Sequence, residues 1–262
     1  LLFDSTNYLT TCVQKFRHVF VPNGKFSINL SSPLILDGIS LSGEEGSELH
    51  LSGNPIIVMN GSKVSKIKFI VENDYAKEVI VSGDYNGTHY PFSKIKLSKI
   101  NIETKTDTLG SHKGISINSI TRGGWDFYID NISIRNPSEG LTVYCEGSWI
   151  TRGKISNVLV ARPEVHGIKL LQELKLNSVG FDVQLSFITM EHCTVQLLGS
   201  VTNCRAFIIG TQHCSYNQLV VFHDTSSTGN YGLELADNIY QKADSVVIPV
   251  NRACGGNVFS NC

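Results

Sequence analysis

The sequence predicts an all-β chain folded as a single-stranded parallel β-helix, a solenoid of stacked coils with a short helix at its N-terminal end. Three observations carry this. Apolar residues recur in the pattern φ-x-x-φ-x-φ, where φ is apolar. The pattern returns at a loose period in the twenties to low thirties, and the links between copies are rich in Gly, Asn and Ser. Alternation at period two marks a strand with one buried face, and self-similarity at such a period marks a repeat architecture.

Residues 5–16, "STNYLTTCVQKF", form the one helical stretch. Leu9, Cys12, Val13 and Phe16 fall on one face, with Ser5 as the N-cap. A solenoid must cover the open end of its core, and this helix is placed to do so. The strand pattern then fits Leu36/Ile39/Leu41, Val64/Ile67/Phe69, Leu97/Ile100/Ile102, Ile129/Ile132/Ile134 and Ile155/Val158/Val160. It continues at Leu176/Val179/Phe181, Val201/Cys204/Ala206 and Ala243/Val246/Ile248. A second φ-x-φ pair follows a glycine at Gly114, Gly140 and Gly167. The alternative is a hairpin sandwich. Asn-Gly occurs at Asn23-Gly24, Asn60-Gly61 and Asn86-Gly87, but two-residue links between alternating runs are not the rule elsewhere. The whole of 1–262 reads as one domain, a cap region at 1–20 followed by coils over 21–262. The opening "LLFDS" has no initiator Met, and "GGNVFSNC" resembles the start of another coil, so a piece of a longer chain is expected.

Hydrophobic residues make up 41% and charged residues 17%, a balance that folds rather than stays disordered. The formal net charge is -1, and Lys and Arg are scattered along the chain without a basic stripe, so nucleic acid is not an expected partner. No apolar run reaches the length of a membrane span, and no signal peptide is evident. Seven cysteines, an odd number without CxxC spacing, favour folding in a reducing compartment over a disulfide framework. No metal or other cofactor is expected.

"VFVPNGKFSI" followed by "LILDGISLSGEEGSELHL" resembles the opening of pectate-lyase-like right-handed β-helix proteins, in particular bacteriophage tailspikes and related capsule or O-antigen depolymerases. The resemblance covers residues 3–51 by sequence and the remaining coils by pattern alone. It implies a right-handed helix and a homotrimer folded in the bacterial host cytoplasm. Mounted with other tail proteins on a virion, such a trimer binds and often cleaves bacterial capsule, exopolysaccharide or O-antigen.

The tetrapeptide Ile-Thr-Arg-Gly occurs at Ile120–Gly123 and again at Ile150–Gly153. The two copies lie 30 residues apart, whereas the strands at 129–134 and 155–160 lie 26 apart. The spacing predicts four extra residues in or beside Gly124-Trp125-Asp126-Phe127, extruded at a corner with Trp125 and Asp126 pushed outward. A tryptophan beside an acid suits a sugar: the indole covers a pyranose face while the carboxylate works on hydroxyls or the glycosidic oxygen. Alternatively, Trp125 folds back between coils.

Stacking Gly140-Leu141-Thr142-Val143 on Gly167-Ile168-Lys169-Leu170 puts Glu146 over Glu173 and Glu139 over His166. Acids one strand spacing apart, about 5 Å, raise the pKa of one member, which prepares a general acid. Their separation distinguishes retaining from inverting glycosidases. Glu146 and Glu173 are therefore the catalytic candidates, with Asp126 third. Trp125, Trp149, Arg152, Tyr144, Arg122 and His166 are the substrate contacts. Asp182, Glu191 and His192 read as solvated face residues, and the row Asp130-Asn131, Ser156-Asn157, Asn177-Ser178 as structural, satisfying backbone groups at a bend.

Three functions compete. One is a depolymerase, either a glycosidase using paired carboxylates or a lyase. The second is a non-catalytic receptor-binding or structural segment of a tail fibre. The third, a secreted pectinase, lacks the N-T-D, D-D, G-H-G and R-I-K set and an acidic calcium cluster.

Overall fold

The computed structural model describes residues 3–146, 148–174, 184–199, 201–224, 226, 228–235, 239–240 and 257–262. Among the described residues the chain is mostly β, with one helix, and its strands form two sheets that are parallel apart from one hairpin. The first sheet carries, side by side, Gly24–Leu30, Ser47–Gly53, Lys63–Val71, Lys96–Thr104, Gly124–Arg135, Trp149–Ala161, Gln184–Leu197 and Ser215–His223. The second carries Leu34–Leu36, Ile56–Val58, Glu78–Tyr85, Lys113–Ser119, Glu139–Glu146, His166–Leu174, Arg205–Gly210 and Tyr231–Leu235. The chain passes from one sheet to the other and back, so each strand pairs with a strand one repeat away.

The apolar rows meet as the spacing predicts. Leu97, Ile129 and Ile155 pair in sequence, as do Ile100, Ile132 and Val158, and Ile102, Ile134 and Val160. All nine are at most 2% exposed and belong to one core cluster, which also takes in Ile115, Leu141 and Ile168 from the second sheet. Burying each such side chain contributes about 1.5–3 kcal/mol, so the stacked rows are the main source of stability.

The x-x in the pattern has a conformational cause. Lys66, Lys99, Asn131, Asn157, His192 and Gln218 lie at one position of successive repeats, all left-handed with φ between 53 and 56. Each falls between paired residues, as Asn131 does between Asp130 and Ile132. A left-handed residue bends the strand and shifts its alternation by one, so Ile129 and Ile132 both face inward although three apart. The polar row beside this bend is structural: the Asp130 carboxylate accepts hydrogen bonds from Ser156 Oγ and Asn157 Nδ2, both at 2.8 Å. Asn177-Ser178 and Asp182 lie outside the described residues.

The glycines that open the second φ-x-φ pair form a column. A Cβ on Gly114 would meet the Gly140 carbonyl oxygen at 2.6 Å and Ile134 Cδ1 at 2.7 Å. One on Gly140 would meet the Gly167 oxygen at 2.2 Å and Val160 Cγ1 at 2.7 Å. Only glycine lets the last apolar residue of each first-sheet strand press onto the backbone of the second sheet.

Several expectations need correction. Leu41 pairs with Val64 and Leu49 with Phe69, so Leu36/Ile39/Leu41 is out of register: Leu36 belongs to the second sheet. Met190, Cys193 and Val195 follow Ile155/Val158/Val160 on the first sheet. Leu176/Val179/Phe181 and Ala243/Val246/Ile248 lie outside the described residues. Ala206 belongs to the second-sheet strand Arg205–Gly210, with Cys204 just before it. Any corner between two short strands generates the same spacing, so the pattern alone does not name the sheet.

The helix spans Thr6–Lys15 and sends Leu9 and Val13 into the core, with Cys12 packed against it. Phe16, expected on the same face, is 57% exposed because the helix has ended before it. The first amide, Thr6 N–H, is accepted by Asp4 Oδ1 at 3.1 Å rather than by the Ser5 side chain. Asn86-Gly87, with φ 48 and 75, is a two-residue turn joining Glu78–Tyr85 to the antiparallel strand Thr88–Tyr90. A small cluster of Ile57, Val81 and Tyr85 is buried there, with Met59 and Tyr90 packed against it. Cys145, Cys193 and Cys204 are free thiols, and they and Cys214 are buried.

Candidate functional site

Strands Glu139–Glu146 and His166–Leu174 pair in the predicted register, with Glu139 on His166, Thr142 on Lys169 and Glu146 on Glu173. The alternation that buries Leu141, Val143, Ile168 and Leu170 turns Tyr144 and Lys169 to the outer face. There the Tyr144 hydroxyl donates to Glu173 Oε2 at 2.5 Å, and Lys169 Nζ lies 5.4 Å from the centre of the Tyr144 ring. Burial holds the Tyr144 phenol well above its ordinary range, helped by its hydrogen bond to Glu173 and by the charges of Glu173 and Glu146. Tyr144 is thus a fixed donor between two carboxylates.

His166 sits lower on the same face and is 4% exposed. Its Nε2 lies 3.0 Å from Thr142 Oγ1 and 3.8 Å from Glu139 Oε2, while Lys113 Nζ pairs with Glu139 at 3.2 Å. Burial pushes its pKa down to about 4, against the partly offsetting charge of Glu139. His166 is therefore a neutral, buried hydrogen-bonding group at neutral pH and not a solvent-facing substrate contact.

The repeated tetrapeptide proves coincidental. Lys113 pairs with Glu139 on one sheet and Ile129 with Ile155 on the other, so both sheets keep an offset of 26 and nothing is extruded. Gly124-Trp125-Asp126-Phe127 lies within a strand opposite the second copy: Gly124 pairs with Ile150 and Phe127 with Gly153. The first copy, Ile120–Gly123, is the bend leading into that strand. Strand pairing fixes register through many hydrogen bonds and a buried face, and four identical residues do not outweigh it.

Trp125 is consequently not a lone ring on a loop. It stacks on Trp149 of the next repeat, with centroids 5.6 Å apart and planes at 21°, and both rings are half-buried. Trp149 in turn covers Gly123, where a Cβ would stand 2.0 Å from its ring. Asp126 is held by Arg152, with Nε 3.0 Å from Oδ1 and an Nη2 bond of 3.3 Å to Oδ2. That bidentate pair occupies both the third catalytic candidate and one proposed substrate contact. Arg122 is exposed on the bend, whose carbonyl at residue 122 accepts from Ser119 Oγ. Of the face residues, Glu191 pairs with Lys154 at 2.5 Å and His192 stands in the left-handed column.

The sequence reading missed two contributors, Thr142 and Asp84, and left Lys169, one of the groups open to a lyase, without a place. Lys169 and Thr142 occupy the polar positions of the very φ-x-φ pairs used to align the strands, so alternation already placed them on the outer face. Asp84 carried no such signal. Its carboxylate accepts the amides of Ile120 at 2.6 Å and Thr121 at 3.3 Å, and the Thr121 hydroxyl at 2.8 Å. His89 Nδ1 lies 3.2 Å away. Together they fasten the bend that presents Arg122. Among the described residues no three His, Cys, Asp or Glu side chains converge to hold a metal ion.

No family model matches the chain, and no curated protein matches it either. Among solved structures, it is similar to the A-module of a mannuronan C-5 epimerase from Azotobacter vinelandii. Identity is 9% over 90% of this chain and 97% of that one, at a TM-score of 0.34. It is also similar to the catalytic unit of a GH87 alpha-1,3-glucanase from Streptomyces thermodiastaticus, 10% identical over 93% of this chain and 68% of that one, at a TM-score of 0.23. Likeness at these scores carries no argument about this chain.

Proposed function

We propose that this chain is a right-handed parallel β-helix of the tailspike type that binds bacterial surface polysaccharide and hydrolyses it with Glu146 and Glu173. The observation that carries the reading is the pairing of those two glutamates in register, with Tyr144 donating to one of them. Backbones one strand apart, about 4.8 Å, suit the closer carboxylate separation of about 5–5.5 Å used by retaining glycosidases. Glu173, stabilised as an acceptor by the Tyr144 hydroxyl, is the nucleophile. Glu146 is the acid that protonates the leaving oxygen and the base that then activates water. The Trp125–Trp149 surface, with Arg122 at its edge, holds the adjoining sugars, and the Asp126–Arg152 pair positions rather than reacts. Trimer formation and mounting on a virion tail, after folding in a bacterial cytoplasm, belong to the same proposal and rest on the resemblance of the N-terminal segment.

The test is release of reducing ends from a panel of capsular and O-antigen polysaccharides. Wild-type protein cleaves at least one, and Glu146→Gln or Glu173→Gln lowers kcat about 10²–10⁴-fold with binding retained. Ultraviolet-absorbing unsaturated ends would identify a lyase instead. Binding without any cleavage would leave a receptor-binding segment and overturn the catalytic assignment.

A further inference from the structure

The lysines that look scattered in the sequence are brought together on the outer face of the first sheet. Lys63 pairs directly with Lys96 on the neighbouring strand, and Lys66 and Lys99 share one position of the left-handed column. All four are exposed. Among the described residues, none of them makes an ion pair or side-chain hydrogen bond; Lys96 Nζ lies over the Tyr128 ring at 5.0 Å. Three of the acids nearby are already engaged. Glu48 takes Lys25 at 3.2 Å, Glu103 takes Lys68, and Asp130 holds Ser156 and Asn157. Like charges stacked directly opposite on adjacent strands are destabilising. Lysine in a left-handed backbone carries a further cost that Asn, used at the same position in Asn131 and Asn157, largely avoids. Two independent costs converge on one small area, and among the described residues they are offset only in part, by the contact of Lys96 with the Tyr128 ring.

That area borders a groove of about 610 Å³ lined by Lys66, Lys68, Lys99, Asn101 and Phe20 together with Glu44, Glu45 and Glu48. Phe20 is 61% exposed, and Glu44 accepts the Asn23 amide at 3.2 Å. The groove therefore offers unpaired amines, one amide and one aromatic face. We infer that it binds an acidic polysaccharide, the lysines taking sugar carboxylates while Phe20 covers a pyranose face. For its ligand class this rests on the polysaccharide reading above, and it specifies that the glycan is charged. Single-stranded nucleic acid is the poorer fit, since it calls for several aromatic platforms interleaved with the charges, and the groove has one.

The probe is size-defined polygalacturonate oligomers, titrated calorimetrically at low and high salt, with dextran oligomers as the neutral control and oligothymidylate as the nucleic-acid control. Wild-type protein binds the uronate, and salt weakens the binding. Lys66→Gln/Lys99→Gln weakens it about fivefold, two exposed pairs at about 0.5 kcal/mol each. Lys63→Gln/Lys96→Gln, made in case the first pair perturbs the bend, does the same, and both variants keep the wild-type circular dichroism. The inference is overturned if dextran binds as well as the uronate, if oligothymidylate binds more tightly, if wild-type protein binds no uronate, or if neither variant changes the affinity. It is likewise overturned if the variants act by altering the oligomeric state. Glu146→Gln should bind the uronate normally. Lysine-dependent binding without cleavage would therefore sink the catalytic proposal alone, and cleavage with lysine-independent binding would sink this one alone.

Discussion

Replacing Gly140 by Ala adds one methyl group at the tightest point between the two sheets. That carbon would stand 2.2 Å from the Gly167 carbonyl oxygen and 2.7 Å from Val160 Cγ1, and real contacts essentially never fall below 3.0 Å. The carbonyl belongs to the neighbouring strand, so it cannot swing aside as a side-chain tip would. Relief requires the two strands to part locally by about 0.8 Å. This stretches a hydrogen bond of about 2.9 Å beyond its useful range and forfeits about 1 kcal/mol. Overpacking against Val160 adds about 1–3 kcal/mol. The expected loss is about 2–4 kcal/mol, or roughly 5–15 °C in thermal midpoint for a chain of this size. Gly61→Ala is the comparison: nothing lies within 4 Å of its added carbon, and only a left-handed φ of 68 resists the change, at about 1–2 kcal/mol. Thermal melts of both variants, followed by circular dichroism, decide the matter. If Gly140→Ala melts no lower than Gly61→Ala, the glycine column is not the constraint described.

Tyr144→Phe removes the donor to Glu173 and should lower kcat more than it raises KM on any polysaccharide the wild type cleaves, with the fold intact by circular dichroism. His112 is fully buried, neither ring nitrogen has a partner among the described residues, and burial pushes its pKa down to about 4. The unfolded ring binds a proton more readily than the folded one. Its contribution is therefore complete above pH 6.5 and falls away toward pH 4, by up to about 3 kcal/mol. Denaturant unfolding across that window should show the slope, which buried His166 shares, and His112→Leu should make it shallower without abolishing it. Asn157→Val places a β-branched residue at a left-handed φ of 53 and deletes the bond to Asp130. It should cost about 2–3 kcal/mol in denaturant unfolding, and Asn157→Gly clearly less. Burial raises the thiol pKa of Cys193 and Cys204 to about 12 and that of Cys145 still further. Peptide mapping after thiol labelling of the native protein should find exposed Cys262 modified and those three protected.

The parts of the fold visible in the sequence were those governed by burial. Ile132 over Val158, and Glu146 over Glu173, followed from counting apolar residues and glycines, because a strand with one buried face has one register. Identity of residues misled where burial was silent. The second Ile-Thr-Arg-Gly pairs with Gly-Trp-Asp-Phe, and Trp125 consequently stacks on Trp149 instead of standing alone on an extruded loop. The lysine patch was hidden for another reason: its members lie 33 positions apart on the outward face, where no hydrophobic pattern marks them. The Leu36/Ile39/Leu41 misalignment shows the remaining limit. A short strand at a corner has too few residues for its spacing to say which sheet it joins.

The glycine column has a bearing on where new chemistry can arise. With Ile134 and Val160 pressed onto the opposite backbone, the two sheets meet without a gap at these glycines, and the groups available for recognition there stand on the outer faces. That outside is laid out like graph paper, one axis running along a strand and the other climbing from repeat to repeat. An outward square can be rewritten without disturbing the buried apolar rows. One such chain can thus carry a reactive patch on one panel and a charged handhold on another, each open to change by itself.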